Sequence, residues 1–173
     1  MKTLKFPFLL SIVLLISSCS KSSLFQSQGV ISGTITGISG DGQKLDESFS
    51  YDQFTTYANS SNFFRNSDKI YFTVGRFSLS NEQSNIQLSF SRTSSGQILS
   101  PQIRLLYSKQ LDGSKELNYS INTPANIIVT SFDETTGKLA GTYNATIEKS
   151  NNSVKNISTL DGKFDVVVRE SIK

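Results

Sequence analysis

Side chains able to do chemistry are few in this chain. Its 173 residues include no histidine and a single cysteine, Cys19. Without histidine the commonest general base and the commonest transition-metal ligand are missing, which excludes Ser-His-Asp and Cys-His arrangements and any His-bearing zinc site. Two adjacent acid pairs remain, Asp46-Glu47 and Asp133-Glu134. Two carboxylates can hydrolyse a glycosidic bond when they are held at a set separation across it. Neighbouring residues on a strand, though, point to opposite faces, and Asp133-Glu134 falls where a hairpin turn is expected, a place where acids are good solvated turn formers. Asp41-Gly42 with Asp46 and Glu47 offers oxygen ligands for calcium but lacks the alternating acidic loop of an EF-hand. Gly37, Gly40 and Gly42 are followed by neither Gly-Lys-Ser/Thr nor an opening helix, so they make no phosphate loop. The chain is therefore read as non-enzymatic, with no catalytic residue, metal site or cofactor.

Contact chemistry has one candidate. Tyr51, Phe54 and Tyr57, with Phe63 and Phe64 behind them, form an aromatic group of the kind enriched where proteins bind sugars or partners. The competing reading is that Phe49, Phe54 and Phe64 plug one end of the core.

The cysteine stands in a telling context. Lys2 and Lys5 form a positive head, residues 6–16 are almost wholly apolar, and Ser17-Ser18 place two small residues before Cys19. This is the layout of an export signal. The apolar run is too short to span a bilayer, which takes about 20 residues. Ile16-Ser17-Ser18-Cys19 resembles the lipobox of bacterial lipoproteins, in which a leucine-like residue and two small residues precede a modified cysteine. That resemblance implies cleavage after Ser18, a diacylglyceryl group on the Cys19 sulfur and, usually, acylation of the new amino terminus. One acyl chain holds a protein only marginally, whereas two or more anchor it stably. The alternative is an ordinary secretory signal with an incidental cysteine. A lone thiol in an oxidising compartment is a liability that acylation would remove.

Removing residues 1–18 leaves 155, enough for one domain with a real core. Lys2 and Lys5 leave with the signal, so 15 basic residues then face 14 acidic ones. With no clustered basic face there is no electrostatic case for nucleic acid. Residues 19–28 read as a lipidated cysteine and a flexible tether spanning roughly 15–20 Å, and residues 29–173 as a single domain.

That domain reads as short strands separated by turn residues. Residues 30–38 are rich in Gly and Thr and end at a turn, Gly40-Asp41-Gly42. Residues 48–57 fit a strand or a helical turn, and 59–68 a polar loop interrupted by Phe63-Phe64. Residues 69–77 and 85–92 alternate clearly: Ile86, Leu88 and Phe90 fall on one face and Gln87, Ser89 and Ser91 on the other. Residues 103–107, 117–121 and 126–132 follow. Asp133-Glu134-Thr135-Thr136-Gly137 then reverses the chain into 138–148, with Gly supplying the positive φ. Residues 154–160 are expected as a strand, Asp161-Gly162 as a turn, and Phe164, Val166 and Val168 as alternating residues of the last strand. No long 3.6-residue period appears. The fold class is all-β, an antiparallel β-sandwich of about eight to nine strands, with a closed barrel as the alternative.

The turn and strand grammar from Phe132-Asp133-Glu134-Thr135-Thr136-Gly137 through Leu139-Ala140-Gly141-Thr142-Tyr143 to Gly162-Lys163-Phe164-Asp165-Val166 resembles small β-sandwich lipoproteins of unknown function that abound in some Gram-negative bacteria. The resemblance covers about a quarter of the chain and implies a fold and an address but no activity. The expectation is a lipid-anchored envelope protein, held to a membrane by acyl chains on Cys19. Its place would be the outer membrane facing the periplasm, with surface exposure as the alternative. It would bind a protein or glycan partner or contribute to envelope structure. The other readings are a small-ligand carrier with a barrel cavity and an immunity-type inhibitor of an envelope-acting toxin.

Overall fold

Period-two alternation builds nearly every element of this molecule. The computed structural model describes residues 29–39, 42–52, 61–78, 84–110, 116–151 and 154–171, and among them are eleven strands and no helix. One sheet holds, side by side, β2 (Lys44–Tyr51), β1 (Gly29–Ile38), β10 (Val154–Val167), β9 (Lys138–Asn151) and β8 (Asn126–Phe132). The second holds β11 (Arg169–Glu170), β3 (Ser61–Asn66), β4 (Lys69–Phe77), β5 (Asn85–Thr93), β6 (Ile98–Gln110) and β7 (Glu116–Pro124). All pairings are antiparallel except the two-residue β11–β3 contact. The sheets keep open edges and do not close into a barrel, so the sandwich is the architecture observed.

Inward residues of the two sheets make one buried cluster. Ile31 and Ile35 of β1, Leu139 and Tyr143 of β9 and Leu160 and Phe164 of β10 meet Phe72, Val74, Leu88, Ile103 and Leu105 of the second sheet. Each such side chain is worth about 1.5–3 kcal/mol in burial. Phe132 joins the layers, standing edge-on to Phe72 (4.9 Å, 88°) and to Phe63 (5.3 Å, 80°). Two corners are made by strands that pass from one sheet to the other, a device of steeply crossed sandwiches. Ala125 alone separates β7 from β8, and Val168 alone separates β10 from β11. Each corner is tied by a backbone bond, Ala125 N–H to Pro101 O (3.1 Å) and Val168 N–H to Gly137 O (2.9 Å).

A third tie is a buried cation. Arg76, on the inner face of β4, is fully buried. Its guanidinium donates to Gly29 O at 3.1 Å, to Gly75 O at 2.7 Å and to the Ser61 hydroxyl. Burial pulls its pKa down to about 10, and the negative charge of Asp52 partly opposes that. The fork of donors lets one side chain satisfy carbonyls from both sheets, at the point where β1 begins.

Three expectations are corrected. Asp161-Gly162 makes no turn; β10 runs straight through it, with Gly162 paired to Gly33 on one side and Tyr143 on the other. The glycine is there because the Tyr143 ring lies across it: a Cβ at Gly162 would collide with that phenol, and one at Gly33 would lie 2.8 Å from the same oxygen. The expected polar loop at 59–68 holds β3, closed onto β4 by a turn in which Ser67 takes a positive φ of 56°. Its polar Asn62, Arg65 and Asn66 hide a strand whose single fully inward ring is Phe63. The described residues hold eleven strands against the eight to nine expected: β2, β3 and the very short β11 are added, while two expected strands fuse into β10.

Candidate functional site

The lipidation residue Cys19 and the cleavage motif Ile16, Ser17 and Ser18 lie outside the described residues, as do Phe54 and Tyr57. Tyr51 is described, and it is no contact surface. It is 4 % exposed, stacked on Phe49 at 4.9 Å between ring centroids. The reason is parity: Leu45, Phe49 and Tyr51 share the inward face of β2. Burial pushes the Tyr51 phenol up to about 12, and the Ser84 hydroxyl beside it offsets only part of this. No hydrogen bond of acceptable geometry closes on its hydroxyl. Phe63 also belongs to the core, while Phe64 turns to the outer face of the six-stranded sheet and stacks flat on Tyr71 (4.7 Å, 3°).

The acid pairs do structural work. Glu47 points inward from the edge strand β2 and accepts from the Tyr107 hydroxyl at 3.0 Å and from Lys109 Nζ at 2.7 Å. It thereby latches one sheet to the other, and an inward charge on an edge strand discourages pairing with a second chain. Asp46 points the opposite way and is exposed. Asp133 accepts from Thr135 N–H (2.8 Å), Thr136 N–H (3.2 Å) and the Thr136 hydroxyl (2.7 Å), fixing the β8–β9 turn. Glu134 pairs with Arg65 at 2.6 Å, and Arg65 also reaches Glu170 at 3.1 Å. Neither pair presents two carboxylates to a common point. Among the described residues no group of three or more His, Cys, Asp or Glu could hold a metal ion, and no helix is long and apolar enough to cross a membrane.

The outer face of the five-stranded sheet carries a different chemistry. Register sets Ser48 of β2 beside Thr34 of β1, and Thr34 beside Asp161 of β10. One step along, Ser50, Ser32, Lys163 and Thr142 line up in the same way. In the next row the Thr36 and Thr159 hydroxyls bond each other at 2.8 Å. Short side chains in the middle of this field leave a shallow, open depression of about 510 Å³. Ser32, Thr34, Ser48, Asp161 and Lys163 rim it, and Phe49 and the backbone of Gly33 and Gly162 complete its lining. Sequence reasoning passed over this face. Its signal was present as alternate hydroxyl residues in each strand, but which hydroxyls become neighbours depends on pairings between β1 and β10, some 130 residues apart.

These groups can donate and accept hydrogen bonds but offer no aligned nucleophile and base. No protein-family model matches this chain, and no curated protein matches it either.

Proposed function

We propose that this protein is a lipid-anchored envelope protein with a non-enzymatic binding or structural role. It would be held by acyl chains on Cys19 to the outer membrane and face the periplasm. The observation that carries the reading is the N-terminal pattern, in which Lys2, Lys5 and an apolar run lead to Ile16-Ser17-Ser18-Cys19. Two features of the domain agree with it. The first strand begins at Gly29, directly after a tether-length stretch, and Arg76 fastens that entry point to both sheets. The acids Glu47, Asp133 and Glu134 are engaged in holding turns and joining sheets rather than converging on a cleft. A carrier reading would need inward side chains that line a space, whereas the described inward residues of both sheets form one continuous buried cluster.

Mass spectrometry of the full chain purified from envelopes tests the proposal. The expected product lacks residues 1–18 and carries acyl mass on Cys19, and Cys19→Ala should abolish membrane retention. An unmodified Cys19 or an uncut Met1 would overturn it.

A further inference from the structure

We propose that the outer face of the five-stranded sheet is a saccharide-binding surface, with Thr34, Ser48 and Asp161 as its central contacts. This rests on the reading of an anchored binding protein and names the chemistry of what it binds. Three properties of the depression between β2, β1 and β10 point to a sugar chain. First, its rim is built from hydroxyls, each able both to donate and to accept, plus one carboxylate at Asp161 and one ammonium at Lys163. The two charges cancel, so the surface suits a neutral ligand dense in donors and acceptors. Second, Gly33 and Gly162 offer only backbone and Cα carbon and line the depression together with Phe49, so the C–H face of a sugar ring meets carbon there. Third, the polar groups recur at the strand spacing of about 4.8 Å across the sheet. That is on the order of one sugar ring, so a chain lying across β2, β1 and β10 meets a hydroxyl on each of the first two strands and Asp161 or Lys163 on the third.

Other occupants fit less well. The backbone groups of β1 and β10 are paired on both sides in the ladders, so an extended peptide cannot add itself here as a strand. The lining holds one aromatic side chain, the mostly buried Phe49, and no large aliphatic one, short of the clustered anchors of a protein hot spot. A phosphate-rich ligand would face Asp161 with a single ammonium in compensation.

The test uses the full chain in detergent micelles. It is titrated with soluble tetra- to hexasaccharides of glucose, mannose, galactose and N-acetylglucosamine and followed by amide chemical shifts. At least one probe should bind saturably and move the resonances of Ser32, Thr34, Ser48 and Lys163. The double variant Thr34→Val with Ser48→Ala should weaken that probe by about tenfold or more while keeping the wild-type circular dichroism. Asp161→Asn should weaken it as well, and Gln87→Ala on the other sheet should leave it unchanged. Absence of binding by every probe would overturn the proposal, as would a folded double variant that binds like wild type. So would a protein partner whose capture depends on Thr34 and Ser48. Acyl mass on Cys19 together with any of these results would remove the saccharide assignment and leave the anchor standing.

Discussion

Tyr107 and Tyr143 each lie within electrostatic reach of Tyr51 inside the sandwich, and each of the three hydroxyls meets burial differently. Tyr143 donates to Ser32 O at 3.0 Å, and Tyr107 donates to Glu47. Tyr51 donates to nothing with good geometry. A buried polar group without a partner costs free energy, whereas removing it together with its need for a partner is close to neutral. Tyr143→Phe should therefore lower the unfolding free energy by about 1 kcal/mol, because Ser32 O loses its donor. Tyr51→Phe should leave stability within about 0.5 kcal/mol of wild type or raise it. Urea denaturation of both variants checks the pair. If Tyr51→Phe were to lose as much as Tyr143→Phe, the Tyr51 hydroxyl must have a partner.

At the scale of elements, the row Phe49–Gly33–Gly162–Tyr143 shows how four strands are kept in register. Two rings lean over two glycines, and a side chain at either glycine has nowhere to go. Gly162→Ala should cost about 1–3 kcal/mol by overpacking against Tyr143. Gly42→Ala, in open space but at φ +87°, should cost only the backbone strain of about 1 kcal/mol. Equal losses in thermal unfolding would mean that the ring does not set the cost at Gly162. This row also marks the limit of what was legible in the sequence. Clean alternation made β4, β5 and β9 readable, because one-faced burial leaves a direct period-two trace, and β8 was readable from its β-branched residues. Asp161-Gly162 carries the grammar of a turn, and only the Tyr143 ring from the neighbouring strand makes it a strand interior. Tyr51 suggested a surface because it clusters in sequence with Phe54 and Tyr57, but its alternation with Phe49 was equally legible and is the pattern that β2 follows. The hydroxyl face was invisible as a face, since strand-by-strand polarity says nothing of which rows coincide.

For the molecule as a whole, the lack of histidine shapes how stability responds to pH. On the acid side, hydrogen bonds from the Thr136 hydroxyl, then from the Thr136 and Thr135 amides, hold the Asp133 carboxyl below its ordinary value of 3.8. A folded value below the unfolded one gives stabilisation that is present above about pH 4 and lost as pH falls through the folded value. On the alkaline side, burial raises all three interior phenols above 10: Tyr51 to about 12, and Tyr107 and Tyr143 further still. Their contribution is complete below pH 10, where both folded and unfolded chains hold the proton. It is lost as pH rises above 10, because the unfolded chain ionises first. Arg76, held down at about 10, pulls the opposite way over that range, and three phenols outweigh one guanidinium. Unfolding free energy measured by denaturant titration should thus be flat between about pH 5 and 9 and fall by a few kcal/mol between about pH 10 and 12. Asp133→Asn should make the acid limb shallower and leave the alkaline limb unchanged. A slope between pH 6 and 8 would contradict these assignments, because the chain has no histidine and neither Asp133, the three phenols nor Arg76 changes charge in that interval.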